Sequence, residues 1–345
     1  MGAVTNSKHR IRDYQSLSSR LVDLLLRETR SSGLGHGLVT FAAAARALPY
    51  VRMNHEFFSL PLVLRYLDAP DDINHLFYVR HRHYLCMGLT IRERIAAALS
   101  HYQFEDNHHD ATYLDSVYRD GGLPLWRCRR ADTDYTILLK ASIKDRQEGG
   151  TSIVLMAGDK WLAEMSYAWV DSALIDGGTS KQTVFITRNQ SCCPDAVELK
   201  QFRQDFPQHS PPYFCLAAMQ GIALVHQQST LAGIRCERQI AYLPRYHRSF
   251  HRSYDEFWQS FGGYVRSSRA YAIPLPLTVR PLETVAAKHR TRAAERRAQW
   301  IAITENTMTS LNCHVKKPID LKEQFQLLSV MRTGPGEALP EAVLH

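Results

Sequence analysis

The 345-residue sequence contains no uninterrupted run of about 18 apolar residues, the length a membrane-spanning helix needs. Leu24–Leu26 lies between Asp23 and Arg27, and the run from Leu38 to Val51 is broken by Arg46, so no such helix is expected; peripheral contact with a membrane surface stays compatible. Paired cysteine motifs are missing as well. Cys86, Cys128, Cys192, Cys193, Cys215, Cys236 and Cys313 are odd in number and scattered without a C-x-x-C, which argues against a disulfide scaffold or zinc knuckle and for reduced, mostly buried thiols. Beside the vicinal Cys192-Cys193 only Arg188 would depress a thiol pKa. Met1 to Asp13 is basic but has no apolar core or small-residue cleavage site, so no secretory signal is expected and the protein is placed in the cytoplasm. No Gly-x-Ser-x-Gly and no P-loop occurs, which removes support for serine-hydrolase and P-loop nucleotide chemistry. Gly33, Gly35 and Gly37 follow a helical pattern rather than a strand, so they read as a helix-ending linker, not a dinucleotide loop. There is no repeat and no low-complexity linker.

What is present is the composition of a folded protein, 45% hydrophobic and 22% charged, with a net charge of +8. That charge is concentrated. Residues 230–300 hold 13 Lys/Arg against five acids, an excess equal to the whole net charge, so the remainder of the chain is near neutral. A field gathered in this way favours phosphates, acidic lipid headgroups or nucleic acid.

Hydrophobic spacing predicts helices at Tyr14–Arg30, Phe41–Leu48, His55–Tyr66, Thr90–His101 and Ala111–Tyr118. From Leu123 the pattern shortens to strands at Tyr135–Ile143, Ser152–Met156, Leu162–Val170 and Thr183–Thr187, separated by turns such as Glu148-Gly-Gly, as in an antiparallel meander. In the third of these, Met165, Tyr167 and Trp169 alternate with Glu164 and Ser166, the pattern of a half-buried strand. Ser210 with Pro211 opens a helix whose stripe Phe214, Ala218, Ile222, Val225 continues to Gly233, and a strand is expected over Arg235–Leu243. Ser253 and Glu256 have capping-box spacing ahead of Tyr254, Phe257, Trp258 and Phe261, with Gly262 as the stop. A short strand near Tyr271–Ile273 and a long helix from Leu282 to Thr304 complete the pattern. The fold class is α+β: a helical N-terminal part over 1–120, then over 121–310 a mostly antiparallel mixed sheet flanked by helices. A C-terminal extension over 311–345 has a mobile tail from Thr333.

Two segments attract a functional reading. On a helical wheel Lys288, Arg292 and Arg296 form one stripe while Ala287, Ala294, Ala298 and Ile301 lie well away from it, which turns cations outward and alanines inward. Pro244–Arg252 gathers Arg245, Tyr246, His247, Arg248 and Arg252 at a strand-to-helix junction, where loops commonly carry chemistry. Metal ligation is not expected: His81-x-His83 is flanked by Arg80 and Arg82, and His108-His109-Asp110 lacks a further ligand at fixed spacing. His101 is expected at a helix C-terminus, its cationic ring stabilised by the dipole.

Several blocks resemble the VirK/YbjX family of bacterial proteins: Thr90-Ile-Arg-Glu-Arg-Ile with Leu99-Ser-His-Tyr-Gln-Phe104, Glu148-Gly-Gly-Thr-Ser-Ile-Val-Leu, Ser253-Tyr-Asp-Glu-Phe-Trp-Gln-Ser-Phe-Gly-Gly263, Leu275-Pro276 and the basic segment 288–297. The resemblance implies a cytoplasmic protein connected with virulence and with tolerance of envelope or other stress, and it supplies no reaction. Where that family carries a Gly-Gly-Leu-Gln-Gly-like turn, this chain has Ile186-Thr-Arg-Asn-Gln-Ser191 followed by Cys192-Cys193-Pro194, which adds Cβ atoms wherever a ligand would approach the backbone. The element order from Thr183 to Ile273 is similar to the second half of a GNAT-type acyltransferase. That likeness implies acyl-CoA as cofactor, Tyr246 and His247 as catalytic residues, and helix-terminal amides for the pyrophosphate. Two functions therefore stand side by side: an acyltransferase, or a protein that binds acidic lipid, a phosphorylated carrier or nucleic acid through Arg245, Arg248, Arg252, Lys288, Arg292 and Arg296.

Overall fold

A computed structural model describes residues 19–67, 76–142, 146–176, 180–193 and 195–333. The expected tail beyond Thr333 and the start of the first expected helix lie outside the described residues. The N-terminal part is helical, with α1 (19–32), α2 (Leu34–Ala45), α3 (Val51–Phe58), α4 (Phe77–Arg80), α5 (Ile91–His108) and α6 (Ala111–Tyr118). The glycine-rich linker is not found. Gly33 alone breaks the helix at φ +89, and Leu34–Gly37 is already helical because α2 packs back on α1, where a Cβ on Gly37 would sit 2.3 Å from Thr29 Oγ1. The single helix expected at His55–Tyr66 is interrupted after Phe58, and a π-helical turn over Val63–Leu67 follows Pro61, whose ring cannot continue a preceding helix.

Eight strands then form one sheet in the order β1-β2-β3-β4-β5-β6-β8-β7. They are β1 (Leu123–Arg130), β2 (Thr133–Ala141), β3 (Thr151–Ala157), β4 (Lys160–Asp171), β5 (Gln182–Ser191), β6 (Thr230–Ile234), β7 (Tyr264–Val265) and β8 (Ala270–Pro274). All neighbours are antiparallel except β5 and β6, which pair in parallel through Phe185 with Ala232 and Ile186 with Gly233 only. The expected meander is therefore observed, with β1 in addition.

The strand over Leu162–Val170 is not half-buried. α5 packs against it and so does α9 (Pro211–Val225), so Ser166 is as buried as Met165. Its hydroxyl is accommodated by a ladder across the sheet, 2.8 Å to Ser152 and from there 2.6 Å to Ser142.

After β5 come α8 (Val197–Asp205) and α9; α9 stops at Val225, short of Gly233, which lies inside β6. The strand expected at Arg235–Leu243 is absent, because Thr230–Ile234 occupies the place between β5 and β8 and the chain turns through a 3-10 segment at Cys236–Arg238. α10 (His247–Ser253) and α11 (Asp255–Gln259) follow. Ser253 closes α10 instead of capping α11, and no side chain caps that helix, so the capping box is not formed. Ser210 stands at the N-cap of α9, also without a side-chain cap bond. The basic helix α12 (Ala287–Asn312) starts after a 3-10 turn and is followed by α13 (Leu321–Thr333).

Three sequence expectations about burial are overturned. Cys86, Cys215 and Cys236 are buried, but Cys128 and Cys192 are half-buried and Cys193 and Cys313 exposed. Ala287 and Ala298 are exposed; the inward face of α12 is Ala293, Arg297, Ile301, Thr304 and Met308. His101 is mid-helix in α5, fully buried, and its Nδ1 accepts the Trp169 backbone N–H at 3.2 Å. Burial lowers its pKa to about 3, so the ring is neutral rather than a dipole-stabilised cation. It rests on Gly150, where a Cβ would fall 1.9 Å from Nε2, which explains a glycine in the Glu148-Gly-Gly block.

One turn further along α5, Glu105 is also fully buried, with His109 Nδ1 at 3.4 Å, and burial raises its carboxyl to about 8 against weaker opposition from Tyr113 and Trp169. The unfolded chain loses this proton near pH 4.3, while the folded protein keeps it to about pH 8. Stability from this group is therefore full below about pH 4.3 and declines until the folded value is passed. Glu105→Gln removes the decline. Urea unfolding should show the variant gaining on the parent between pH 5 and 8 by more than about 1.4 kcal/mol, the equivalent of one pKa unit; a constant difference would show that Glu105 is ionised throughout.

Candidate anion-binding site

The site lies where β5 outruns its parallel partner. Beyond Ile186 the outer edge of β5 is met by the segment after β6, and the Tyr254–Gly263 block fixes that segment in place. The Trp258 ring lies on Gly233, its Nε1–H donates to the Ile234 carbonyl at 2.9 Å, and Asp255 Oδ1 accepts the Cys236 N–H at 2.9 Å. The Tyr254 hydroxyl accepts the Asn189 N–H at 3.3 Å, and Asn189 Nδ2 donates to the Ser253 carbonyl at 2.9 Å. The aromatic positions of the block therefore bind the end of β6 and the edge of β5 to α10.

The arrangement leaves a groove of about 990 Å³ at the strand end, bordered by Asn189, Gln190, Tyr213, Arg245, Tyr246, Arg248, Arg252 and Phe257. It brings together Arg245, Tyr246, Arg248 and Arg252 as expected from sequence. His247 is not on its wall; its Nδ1 lies 3.1 Å from the Tyr242 hydroxyl. Tyr246 is 51% exposed, with the Arg245 guanidinium 4.9 Å from its ring centre. A tyrosine this open to water lacks the enclosed setting in which a general acid gains strength.

Two further hollows follow it in series. A depression of about 430 Å³ shares Tyr213 with the groove and adds Arg280, Arg296, Arg297, Phe261 and Trp300. A second groove of about 780 Å³ shares Gln208 and Arg296 with that depression and adds Arg130, Asp205, Phe206, Arg292 and Glu295. Tyr213 holds the junction, stacked on Phe257 at 5.4 Å and edge-on to Phe261 and Trp300. Lys288 is exposed one turn before Arg292 on α12 and borders none of the three.

Among the described residues no carboxylate lies within ion-pair distance of Arg245, Arg248, Arg252, Lys288, Arg292 or Arg296. Of the nearby acids, Asp255 is engaged with backbone, Glu256 with His251 at 3.2 Å and Asp205 with the Tyr135 hydroxyl at 2.7 Å, while Glu295, exposed between Arg292 and Arg296 on α12, lies beyond ion-pair distance of both. Arg296 donates instead to Gln208 at 3.3 Å.

Sequence reasoning did not single out Arg130, Tyr213, Arg280 or Arg297. Arg130 arrives from β1, far away in the chain, and Arg297 is buried where its type is normally exposed. It also missed a polar pocket of about 220 Å³ beside the strand-end groove. There Glu148 accepts from Gln239 at 2.5 Å and lies 3.3 Å from Arg188, which also donates to Gln190 at 2.8 Å. The signal was available, since Glu148 heads one of the blocks that carry the resemblance.

Fold and site together define an α+β protein with an eight-stranded, mostly antiparallel sheet and a basic face where its parallel strand pair ends. A family profile described as "Protein of unknown function (DUF535)" matches residues 50–310, and the chain belongs to that family, which is the VirK/YbjX family its motifs resemble. No curated protein and no solved structure is detectably similar to it. Among the described residues no helix is long and apolar enough to cross a membrane.

The contact of Trp258 with Gly233 leaves no room for a side chain, since a Cβ on Gly233 would lie 2.7 Å from the indole. Gly233→Ala should therefore lower stability by about 1–3 kcal/mol in urea unfolding. A loss below about 0.5 kcal/mol would show that the indole shifts freely and does not fix the site.

Proposed function

We propose that this protein binds a phosphate-bearing anionic partner on the basic face, in the cytoplasm or at the inner surface of the membrane, and that its role in stress tolerance and virulence runs through that binding. The observation that carries the reading is the set of arginines bordering the strand-end groove, Arg245, Arg248 and Arg252, which have no carboxylate partner among the described residues. Guanidinium groups hold their charge at any physiological pH and match phosphate oxygens through paired N–H donors.

Acyl transfer is the second reading. It is favoured by the groove's position outside the end of a parallel strand, where ligands commonly bind in open sheets, and by the two-pair β5–β6 junction after an antiparallel meander. Against it stands the start of α9. Pro211 and Pro212 have no N–H, and Tyr213 gives its N–H to the Ser210 carbonyl, so the helix terminus lacks most of the amides that would cradle a pyrophosphate. An acyl-CoA or phosphorylated carrier held here would depend on the arginines instead.

Inorganic tripolyphosphate is a suitable probe. Titration calorimetry should show binding that weakens with added salt and falls at least tenfold in Arg248→Glu/Arg252→Glu, while Lys181→Glu, exposed immediately before β5 and so at the other end of that strand, leaves it unchanged. Equal losses in both variants would reduce the effect to net charge. Acyl transfer from acetyl-CoA to an amine that disappears in Tyr246→Phe would favour the enzyme instead.

A further inference from the structure

The middle depression contains a feature that the sequence did not announce. Arg297 is 5% exposed, projecting inward from α12, and one of its terminal nitrogens donates to the Arg280 carbonyl. Its Nη1 is buried with no hydrogen-bond partner, and so is Nε1 of Trp300 on the same wall. No carboxylate borders the depression, and Arg280 and Arg296 stand beside Arg297. Glu283 acts on the guanidinium only from a distance, outside ion-pair range.

A buried guanidinium without a counterion is costly, because it has left water and gained no opposite charge. Two further guanidinium groups on the same hollow add repulsion. Such an arrangement is unfavourable while the hollow holds only water and becomes favourable when an anion enters it. Several N–H donors and more than one positive charge suit a phosphate, with its three strong acceptor oxygens and nearly two negative charges, better than a carboxylate.

We propose that the depression between α12, the Thr278–Arg280 segment and the start of α9 is a phosphate-binding site, with Arg297 at its base and Arg280 and Arg296 at its rim. It rests on the anion-binding reading above but is separate from the strand-end groove. The phosphate is either free, as inorganic phosphate or a monoester, or one link of a phosphodiester chain that continues past Tyr213 and Arg296 into the neighbouring hollows.

The test uses the full chain carrying Arg248→Glu/Arg252→Glu, which disables the strand-end groove. Titration with inorganic phosphate should still give saturable binding in this background, and adding Arg280→Glu, an exposed substitution, should weaken it at least tenfold. Arg297→Met supplies the second measurement. In the same Arg248→Glu/Arg252→Glu background it should abolish the rise in melting temperature that phosphate gives, yet melt no lower than that background without phosphate, since it removes an unpaired buried charge. A purely structural Arg297 would lower the melting temperature equally with and without phosphate, and that result overturns the proposal. Phosphate binding present in the parent but absent from the double variant overturns it too, while leaving the strand-end groove in place; no phosphate binding by the parent defeats both readings. A labelled oligothymidylate of about 12 nucleotides separates the sources. Binding that depends on Arg280 and Arg297 assigns the site to a phosphodiester chain, and phosphate binding alone assigns it to a free phosphate or monoester.

Discussion

The seating of Trp258 on Gly233 is the constraint on which the basic face depends. β5 and β6 share only two register pairs, so the sheet has little backbone bonding to hold its halves together where they run parallel. Side chains supply what the ladder lacks: the indole N–H to Ile234, Asp255 to Cys236, and Tyr254 to Asn189. These bonds tie the segment after β6 to the edge of β5, and that segment carries Arg245, Arg248 and Arg252 to the groove. Without this attachment the arginines would lie on a free loop, and their alignment would have to be produced at the moment of binding, at the cost of ordering entropy.

The charges are deployed in two opposite ways. Within the core, burial raises the Glu105 carboxyl to about 8 and lowers His101 and the half-buried His226 to about 3, so each shift favours the neutral form and lessens the ionic penalty of a low dielectric. Along α12 and α10 the opposite holds. Arginines cannot shed their protons, and Asp255 and Glu256 are directed to a backbone amide and to His251 rather than to them.

The sheet was legible in the sequence because alternation and glycine-containing turns mark antiparallel strands locally, and β2 to β5 fell close to their expected ranges. The region after α9 was not. Gly233 reads as a helix stop in isolation, yet it is a glycine because an indole from α11 lies on it, and no local pattern reveals that contact. The capping-box spacing at Ser253 failed for a related reason: tertiary bonds from Tyr254 and Asp255 set the break between α10 and α11. Within the site, Arg245, Tyr246, Arg248 and Arg252 were legible as neighbours in one loop. Arg130 and Tyr213 join the face only through folding, and the wheel drawn through Lys288, Arg292 and Arg296 gave the outward stripe correctly but placed the wrong alanines inside. Ala293 and Arg297 face inward because α12 packs on α9 and β1, a direction the charge pattern alone does not fix.

How the protein would hold a phosphate follows from what α9 cannot do. Most helix N-termini offer several free amides, but Pro211 and Pro212 remove two of them and Tyr213 turns its own inward to Ser210. Backbone amides select an anion by shape and are little affected by salt, whereas exposed guanidinium groups act at longer range and are screened by it. Recognition on this face, as proposed, would therefore be divided by depth. On the proposed reading Arg245, Arg248 and Arg292 at the surface would attract and orient the anion, and the screening of solvent makes each of them individually weak. Arg297, out of solvent, is among the described residues the one cation on the face whose field water does not dissipate, so on the proposed reading discrimination between a phosphate and a weaker anion would arise beside it.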